Sequence, residues 1–273
     1  MKNILILCCL FFVVTVANAQ VTLTKIWETT DLPVPESVLP AAKGEILYVS
    51  LIDGDSGKAD GKGGIAILGA DGKIINQNWV TGLNAPKGMG IYKGKLYVAD
   101  ISEVVVIELK SGKITNKIPI EGTIFLNDIA IDAKGGVFVS DTRLGTVYKI
   151  EKNKATLYLD KMTSANGLKV VGDDLYILSG PTLVKVDSNK IITTIAKDLA
   201  SGGDGIELID AKTFLVSCWV GLIYEVKMDG TVTKLMDSRA EKINTADIGY
   251  NVSKKIVYVP TFLKNSVVAY QLK

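Results

Sequence analysis

Five side chains at comparable places in the chain carry most of the chemistry open to this sequence: Glu36, Lys87, Asn127, Asn166 and Asp204. Four of them offer hard oxygen donors, the type that holds Ca2+ or Mg2+. Each lies two residues before an apolar residue in a strand-like run, namely Val38, Met89, Ile129, Leu168 and Ile206. A sixth such place holds Ala246, ahead of Ile248. Asparagine and aspartate at strand openings also cap turns by bonding their own backbone, which leaves that role open for each of them. Glutamate is a poor turn former, so Glu36 favours a site. The sequence contains no histidine. That excludes Ser-His and Cys-His nucleophiles, histidine general bases and histidine-held zinc, and any metal must rest on oxygen ligands.

The elements that would bring these residues together recur. "PESVLPAAKGEILYVS" begins at Pro35, "PKGMGIYKGKLYVAD" at Pro86, "LNDIAIDAKGGVFVSD" at Leu126, "ANGLKVVGDDLYILS" at Ala165, "GDGIELIDAKTFLVS" at Gly203 and "ADIGYNVSKKIVYVP" at Ala246. Each is an apolar strand, a tight turn and an aromatic-rich strand, and most lead to a third strand and another turn. The aligned apolar residues are spaced by 51, 40, 39, 38 and 42 residues. A period near forty with up to four strands per unit is the mark of a β-propeller blade. A solenoid would need a more regular period and capping units. The sixth unit ends at Lys273 after three strands, and "VTLTKIWE" from Val21 can supply its fourth. The expected fold is all-β: one six-bladed propeller over residues 20–273, with four-stranded blades and a ring closed by the N- and C-terminal strands. In such a ring the innermost strands line a channel, and residues where they begin meet at one mouth.

Composition narrows the context. "MKNILILCCLFFVVTVANAQ" reads as a secretory signal over residues 1–19. No later run is long enough to span a membrane. Cys8 and Cys9 leave with the signal, so the exported chain keeps only Cys218 and forms no internal disulfide. A periplasmic or secreted location is expected. The formal charge is +2, with only Arg143 and Arg239 as arginines, so a nucleic-acid surface has little support. Trp219 follows the second strand of blade five, where it either stacks on a ligand ring or packs in the core. Asp100 and Asp141, closing "YVAD" and "FVSD", are read as turn caps.

These residues resemble the senescence marker protein (regucalcin) and gluconolactonase family, six-bladed propellers that hydrolyse lactones with one divalent metal. Glu36 matches the family's glutamate at the start of the first blade. Asn127-Asp128 looks like its "ND", Asn166-Gly167-Leu168 like its "NGL", and Asp204-Gly205 like its "DG", in the family's blade order. The resemblance implies a metal (Ca, Mg, Mn or Zn) on Glu36, Asn166 and Asp204, with Asn127 facing substrate. It also implies that the ion polarises the lactone carbonyl while Asp204 takes a proton from water. Lys87 and Trp219 are the further substrate-binding residues expected, Lys87 suiting a substrate carboxylate. There are departures. Phe125 stands where sugar-lactone members carry arginine, Ser37-Val38-Leu39 replaces the usual Gly-Pro after the glutamate, and Gly203 replaces the proline before the aspartate. The metal set is kept and the sugar-reading set is not, which points to a small lactone less polar than gluconolactone. The competing reading is a non-enzymatic NHL-type propeller that binds a protein or glycan partner on the same face.

One stretch stands apart, "LIDGDSGKADGKGG" at Leu51–Gly64. As an EF-hand loop from Asp53 it fails at Gly57, Lys58 and Gly64, and as a phosphate loop "GKADGK" is one residue short. It joins the second and third strands of blade one on the face of Glu36 and Asp204. The counterparts in other blades are short, so the stretch is expected to be either a lid over the mouth or a disordered connection without function.

Overall fold

Short apolar runs broken by Gly, Asp, Asn and Lys turns make strands almost everywhere, and they assemble as six four-stranded antiparallel sheets. The structure, a computed structural model, describes residues 21–200 and 202–273; the expected signal over residues 1–19, with Cys8 and Cys9, lies outside the described residues. Among the described residues the only helical element is a short 3-10 turn, Phe262–Lys264. No helix among the described residues is long and apolar enough to cross a membrane.

Each sheet is one blade. The innermost strands are Pro35–Pro40, Pro86–Tyr92, Leu126–Ile131, Ala165–Val171, Gly203–Asp210 and Gly249–Asn251, and each touches the inner strands on both sides. Blade six is completed from the far end of the chain: Leu23–Thr29 pairs antiparallel with Val267–Leu272, Leu23 opposite Leu272 and Thr29 opposite Val267. The ring is therefore closed by both termini, as the missing fourth strand of the last unit required.

The core is not a single mass. It is divided into six apolar layers, one between each pair of neighbouring blades, including the closing pair. The aligned residues Val38, Met89, Ile129, Leu168, Ile206 and Ile248 are all buried and contribute to these layers. Each blade thus lacks a complete core until its neighbours are in place.

The inner strands share an irregularity that matters for function. In blades two to five, two residues oppose one on the second strand, which is a β-bulge. The doubled pairs are Lys87-Gly88 opposite Ala99, Asn127-Asp128 opposite Ser140, Asn166-Gly167 opposite Leu178, and Asp204-Gly205 opposite Ser217. In blade one Glu36 alone is the extra residue, between the pairs Pro35–Leu51 and Ser37–Ser50. Second-strand serines bind the amides these bulges free: Ser50, Ser140 and Ser217 accept from the N–H of Ser37, Asp128 and Gly205 at 2.9, 3.0 and 2.8 Å.

Trp27 connects the closing strand to two blades. Its ring lies 5.8 Å from that of Tyr258 in blade six, and its Nε1 donates to Ala70 O of blade one at 3.1 Å. Trp27→Ala should lower stability by about 3 kcal/mol, the low end for a large aromatic because this one is half-buried. Urea or thermal unfolding checks this; an unchanged midpoint would mean the terminal strand does not hold the ring shut.

Candidate functional site

The bulged residues converge. Glu36, Lys87, Asn127, Asn166 and Asp204 line one recess of about 600 Å3 together with Ser56, Phe125, Gly202, Trp219 and Phe262. Every residue expected at the site from the sequence is in it. All five bulged residues are buried, with relative exposures of 4, 1, 6, 8 and 3 % in chain order.

Their hydrogen bonds show what is left over. Asn166 Nδ2 donates to Asp204 Oδ1 at 2.9 Å, which directs the Asn166 amide oxygen elsewhere. That oxygen, Oδ1, and Glu36 Oε2 are both buried and have no hydrogen-bond partner. Orphaned buried acceptors are costly, and two of them beside the Asp204 carboxylate are the donor set of a hard cation. Glu36, Asn166 and Asp204 therefore fit the single divalent ion expected from the sequence. Among the described residues no group of three or more Cys, Asp or Glu is arranged to hold a metal, so an ion here rests on two carboxylates and an amide oxygen. Asn127 is fixed differently: its Nδ2 donates to Thr142 Oγ1 at 3.0 Å, and that hydroxyl donates to Ala165 O at 2.9 Å.

Below this recess, a second cavity of about 640 Å3 continues the channel, lined among others by Ser37, Asp128, Lys169, Glu207 and Asp247. Glycines make room for its acids. A Cβ at Gly88 would stand 2.4 Å from Asp128 Oδ1, and one at Gly205 2.6 Å from Asp247 Oδ1. Lys169 is salt-bridged to Glu207. Asp128 and Asp247 were not singled out from the sequence. The signal was available, because each directly follows a mouth position, Asn127 and Ala246.

The throat is electrostatically tense. Glu36 is held well above the usual carboxylate range, first by burial and then by the charges of Asp204 and Asp247. Burial and Asp247 do the same to Asp204, partly offset by the Asn166 hydrogen bond. Asp128 is raised for the same two reasons, and burial lifts Asp247 to about 7. Burial lowers Lys87 to about 8 against the opposing pull of Glu36.

Lys87 is not the solvated lysine that residue type alone would suggest. Its ammonium donates to Ala85 O at 2.9 Å and lies 4.4 Å from the centre of the Phe125 ring. Trp219 lines the recess and meets Phe262 edge to face, ring centres 5.5 Å apart. Phe262 adopts φ 49°, a left-handed conformation uncommon for a bulky residue. Asp100 and Asp141 act as caps in a wider sense than expected. Asp100 accepts the amides of Asn84 and Ala85 at 2.9 and 2.7 Å, fixing the approach to Lys87. Asp141 accepts those of Ile124 and Phe125 as well as Arg143 and Leu144 in its own turn. Cys218 is buried in the apolar layer between blades four and five, and burial pushes its thiol up to about 12, as suits a packing residue.

The long connection of blade one spans the eleven residues between Ile46–Leu51 and Gly63–Gly69. Its aspartates serve local turns: Asp55 accepts from Gly57 N and Asp60 from Lys62 N, at 2.9 and 3.2 Å. Ser56 reaches the recess, and a Cβ on Gly57 would lie 3.1 Å from the guanidinium of Arg143 in blade three. The loop therefore passes over the mouth as far as blade three.

Compared by sequence, the chain matches no protein-family model and no curated protein. Solved structures do resemble it. Virginiamycin B lyase from Staphylococcus aureus superposes with a TM-score of 0.69 at 11% identity, over 93% of this chain and 100% of that one. A streptogramin B lyase gives 0.65 at 9% identity, over 93% and 98%. Luciferin-regenerating enzyme gives 0.67 at 13% identity, over 93% and 95%. What is shared is the propeller fold.

Two predictions follow from this geometry. The raised carboxyls favour protonation in the folded state, so the stability they allow is present below about pH 4, their ordinary range. It is lost as pH rises through the folded values, about 7 for Asp247. Lys87, shifted down to about 8, acts in the opposite sense only above that pH. Chelator-treated protein should therefore melt at lower temperature as pH climbs from about 5 to about 7.5, and a divalent cation should flatten or reverse the trend. A melting temperature that rises over this interval without metal would contradict the acidic throat. Second, exchanging residues 54–62 for a short Gly-Ser turn should leave melting temperature and metal affinity intact while changing ligand affinity at the mouth. Unchanged affinity across a ligand panel would reduce the loop to a spacer.

Proposed function

We propose that the chain is an exported, divalent-metal-dependent hydrolase that opens a lactone. The observation that carries this reading is the pair of buried, unpartnered oxygens, Glu36 Oε2 and Asn166 Oδ1, beside Asp204 in a recess without histidine. Glu36, Asn166 and Asp204 would hold the ion, which supplies Lewis-acid polarisation of a carbonyl when bound. Asn166 holds Asp204 by its Oδ1 and leaves Oδ2 to take a proton from water. The water oxygen bonds to the lactone carbonyl carbon, the ring C–O bond breaks, and the proton ends on the released alkoxide, giving a hydroxy acid. Asn127, anchored through Thr142, orients the substrate. Trp219 and Phe262 wall the recess against water. The likeness in fold to proteins named as a lyase and as a luciferin-regenerating enzyme supports an enzymatic use of this scaffold. The signal-like N-terminal sequence supports export to a periplasm or beyond.

A second reading has its own support. Ile124, Leu144, Val220 and Leu263 expose 46, 43, 36 and 64 % of their surface in connections on the face of the recess. Such an apolar rim suits an NHL-type propeller that docks a protein or glycan.

The two readings separate on purified protein. Metal analysis and calorimetry should find one divalent ion, and Glu36→Gln and Asp204→Ala should weaken its binding. Asp204→Asn should lose on the order of 10²-fold in lactone turnover, the scale of a lost general base. Absence of metal, or no turnover of polar or apolar lactones with Ca2+, Mg2+, Mn2+ or Zn2+, would favour the docking module.

A further inference from the structure

Two cations meet one aromatic ring at the mouth, and among the described residues neither makes an ion pair. Lys87 Nζ is 4.4 Å from the centre of the Phe125 ring and the Arg143 guanidinium carbon is 4.3 Å from it. Lys87 lines the recess, is 1 % exposed and has Ala85 O as its one protein acceptor, so two of its three N–H bonds have no protein oxygen to donate to. Contact with a ring face offsets part of the cost of burying that charge, but only part. Arg143 is exposed, in the turn beside Leu144. Its backbone N–H is tied to Asp141 at 3.1 Å, which leaves the guanidinium fork free.

The charges of the recess point the same way. Glu36 and Asp204 are balanced by one divalent ion, and Lys87 is then the remaining charge in the lining of the recess; Asp128 and Asp247 line the deeper cavity with Lys169 and Glu207. From this we infer that the natural ligand carries a carboxylate, bound beside the Phe125 ring within reach of Lys87 and Arg143. A carboxylate accepts charge-assisted hydrogen bonds from an ammonium and from a guanidinium fork alike. Phe262 belongs to blade six, across a six-bladed ring from blade three, so the Trp219–Phe262 pair receives the other, less polar end of the ligand. On the reading of the site as a lactonase, the substrate is a lactone that bears an acid group as well as an apolar or ring-containing portion.

The test uses a matched pair of non-hydrolysable ligands, a cyclic-ketone carboxylic acid and its methyl ester. Their binding is measured by calorimetry, with each of Ca2+, Mg2+, Mn2+ and Zn2+ present in turn. The acid should bind about 10-fold or more tightly than the ester, the worth of one charge-assisted contact. The preference should fall toward unity in Arg143→Gln and in Lys87→Met, and weaken with added salt in the wild type. Arg143→Gln lies on the surface, so it reports even if Lys87→Met does not fold. Equal binding of acid and ester, or a preference unchanged in Arg143→Gln, overturns the inference. So does displacement of the acid by inorganic phosphate more strongly than by acetate, which would assign the slot to a phosphate. Lactone turnover is scored separately. Acid preference without turnover of any lactone keeps the carboxylate slot and removes the lactonase, whereas turnover of neutral lactones with no acid preference does the reverse.

Discussion

The site depends on one backbone irregularity repeated around the ring. A regular inner strand would alternate its side chains between the two neighbouring inter-blade layers, with little reason for a polar group to face the axis. The bulge adds a residue and re-aims one side chain. In five blades that side chain is Glu36, Lys87, Asn127, Asn166 or Asp204. The serine hydroxyls of Ser50, Ser140 and Ser217 bind amides that the bulges release, so the distortion leaves few buried donors unpaired. The apolar residue that follows returns the strand to its layer. Rigidity of the site thus comes from the same inter-blade packing that holds the fold together.

The second consequence is charge. Converging strands put Glu36, Asp128, Asp204 and Asp247 into one narrow throat, with Lys87 and the Glu207-paired Lys169 as the nearby cations. Burial raises all four acids, and the charges of Asp247, Asp204 and Asp128 raise others among them. Glycine at 88 and 205 shows that the backbone accommodates these carboxylates instead of excluding them. A protein under selection for stability alone would fill such a throat with apolar side chains. A bound cation would resolve the tension by favouring the ionised acids and taking the orphaned oxygens of Glu36 and Asn166 as ligands.

Much of this was legible in the sequence because propeller blades repeat. The near-forty-residue spacing carries the fold, and the missing fourth strand of the last blade carries its closure. The same alignment placed Glu36, Lys87, Asn127, Asn166 and Asp204 at one mouth, where the structure finds them. Alignment could not tell a turn-capping asparagine from one with an orphaned oxygen. That depends on Asn166 Nδ2 finding Asp204, 38 positions away. Nor could it reveal that Lys87 is buried, because its environment is made by Phe125 from the next blade. Arg143 was invisible for a related reason. It lies in a turn, outside the repeating register, and reaches the mouth only through its long side chain. Its rarity, one of two arginines, was the signal that could have marked it.

The positions of Arg143 and Phe125 show how the fold separates chemistry from selectivity. The groups that fit a metal sit in bulges, where the backbone is fixed by strands on both sides. The groups proposed to contact the rest of a ligand, Phe125, Arg143, Trp219, Phe262 and Ser56, come from connections on the open face, which tolerate change. Such connections would ordinarily hold an exposed arginine loosely. Here Asp141 removes much of that freedom, because it binds the amides of Ile124 and Phe125 on one side and of Arg143 and Leu144 on the other. A single buried carboxylate thereby ties the segment carrying the ring to the turn carrying the guanidinium. The Gly57 backbone of the blade-one loop bounds the guanidinium from another side. On the proposed reading, selectivity at this mouth is therefore held by backbone hydrogen bonds to a buried aspartate outside the recess, and a change in the loop or turn would alter ligand choice without disturbing the throat beneath.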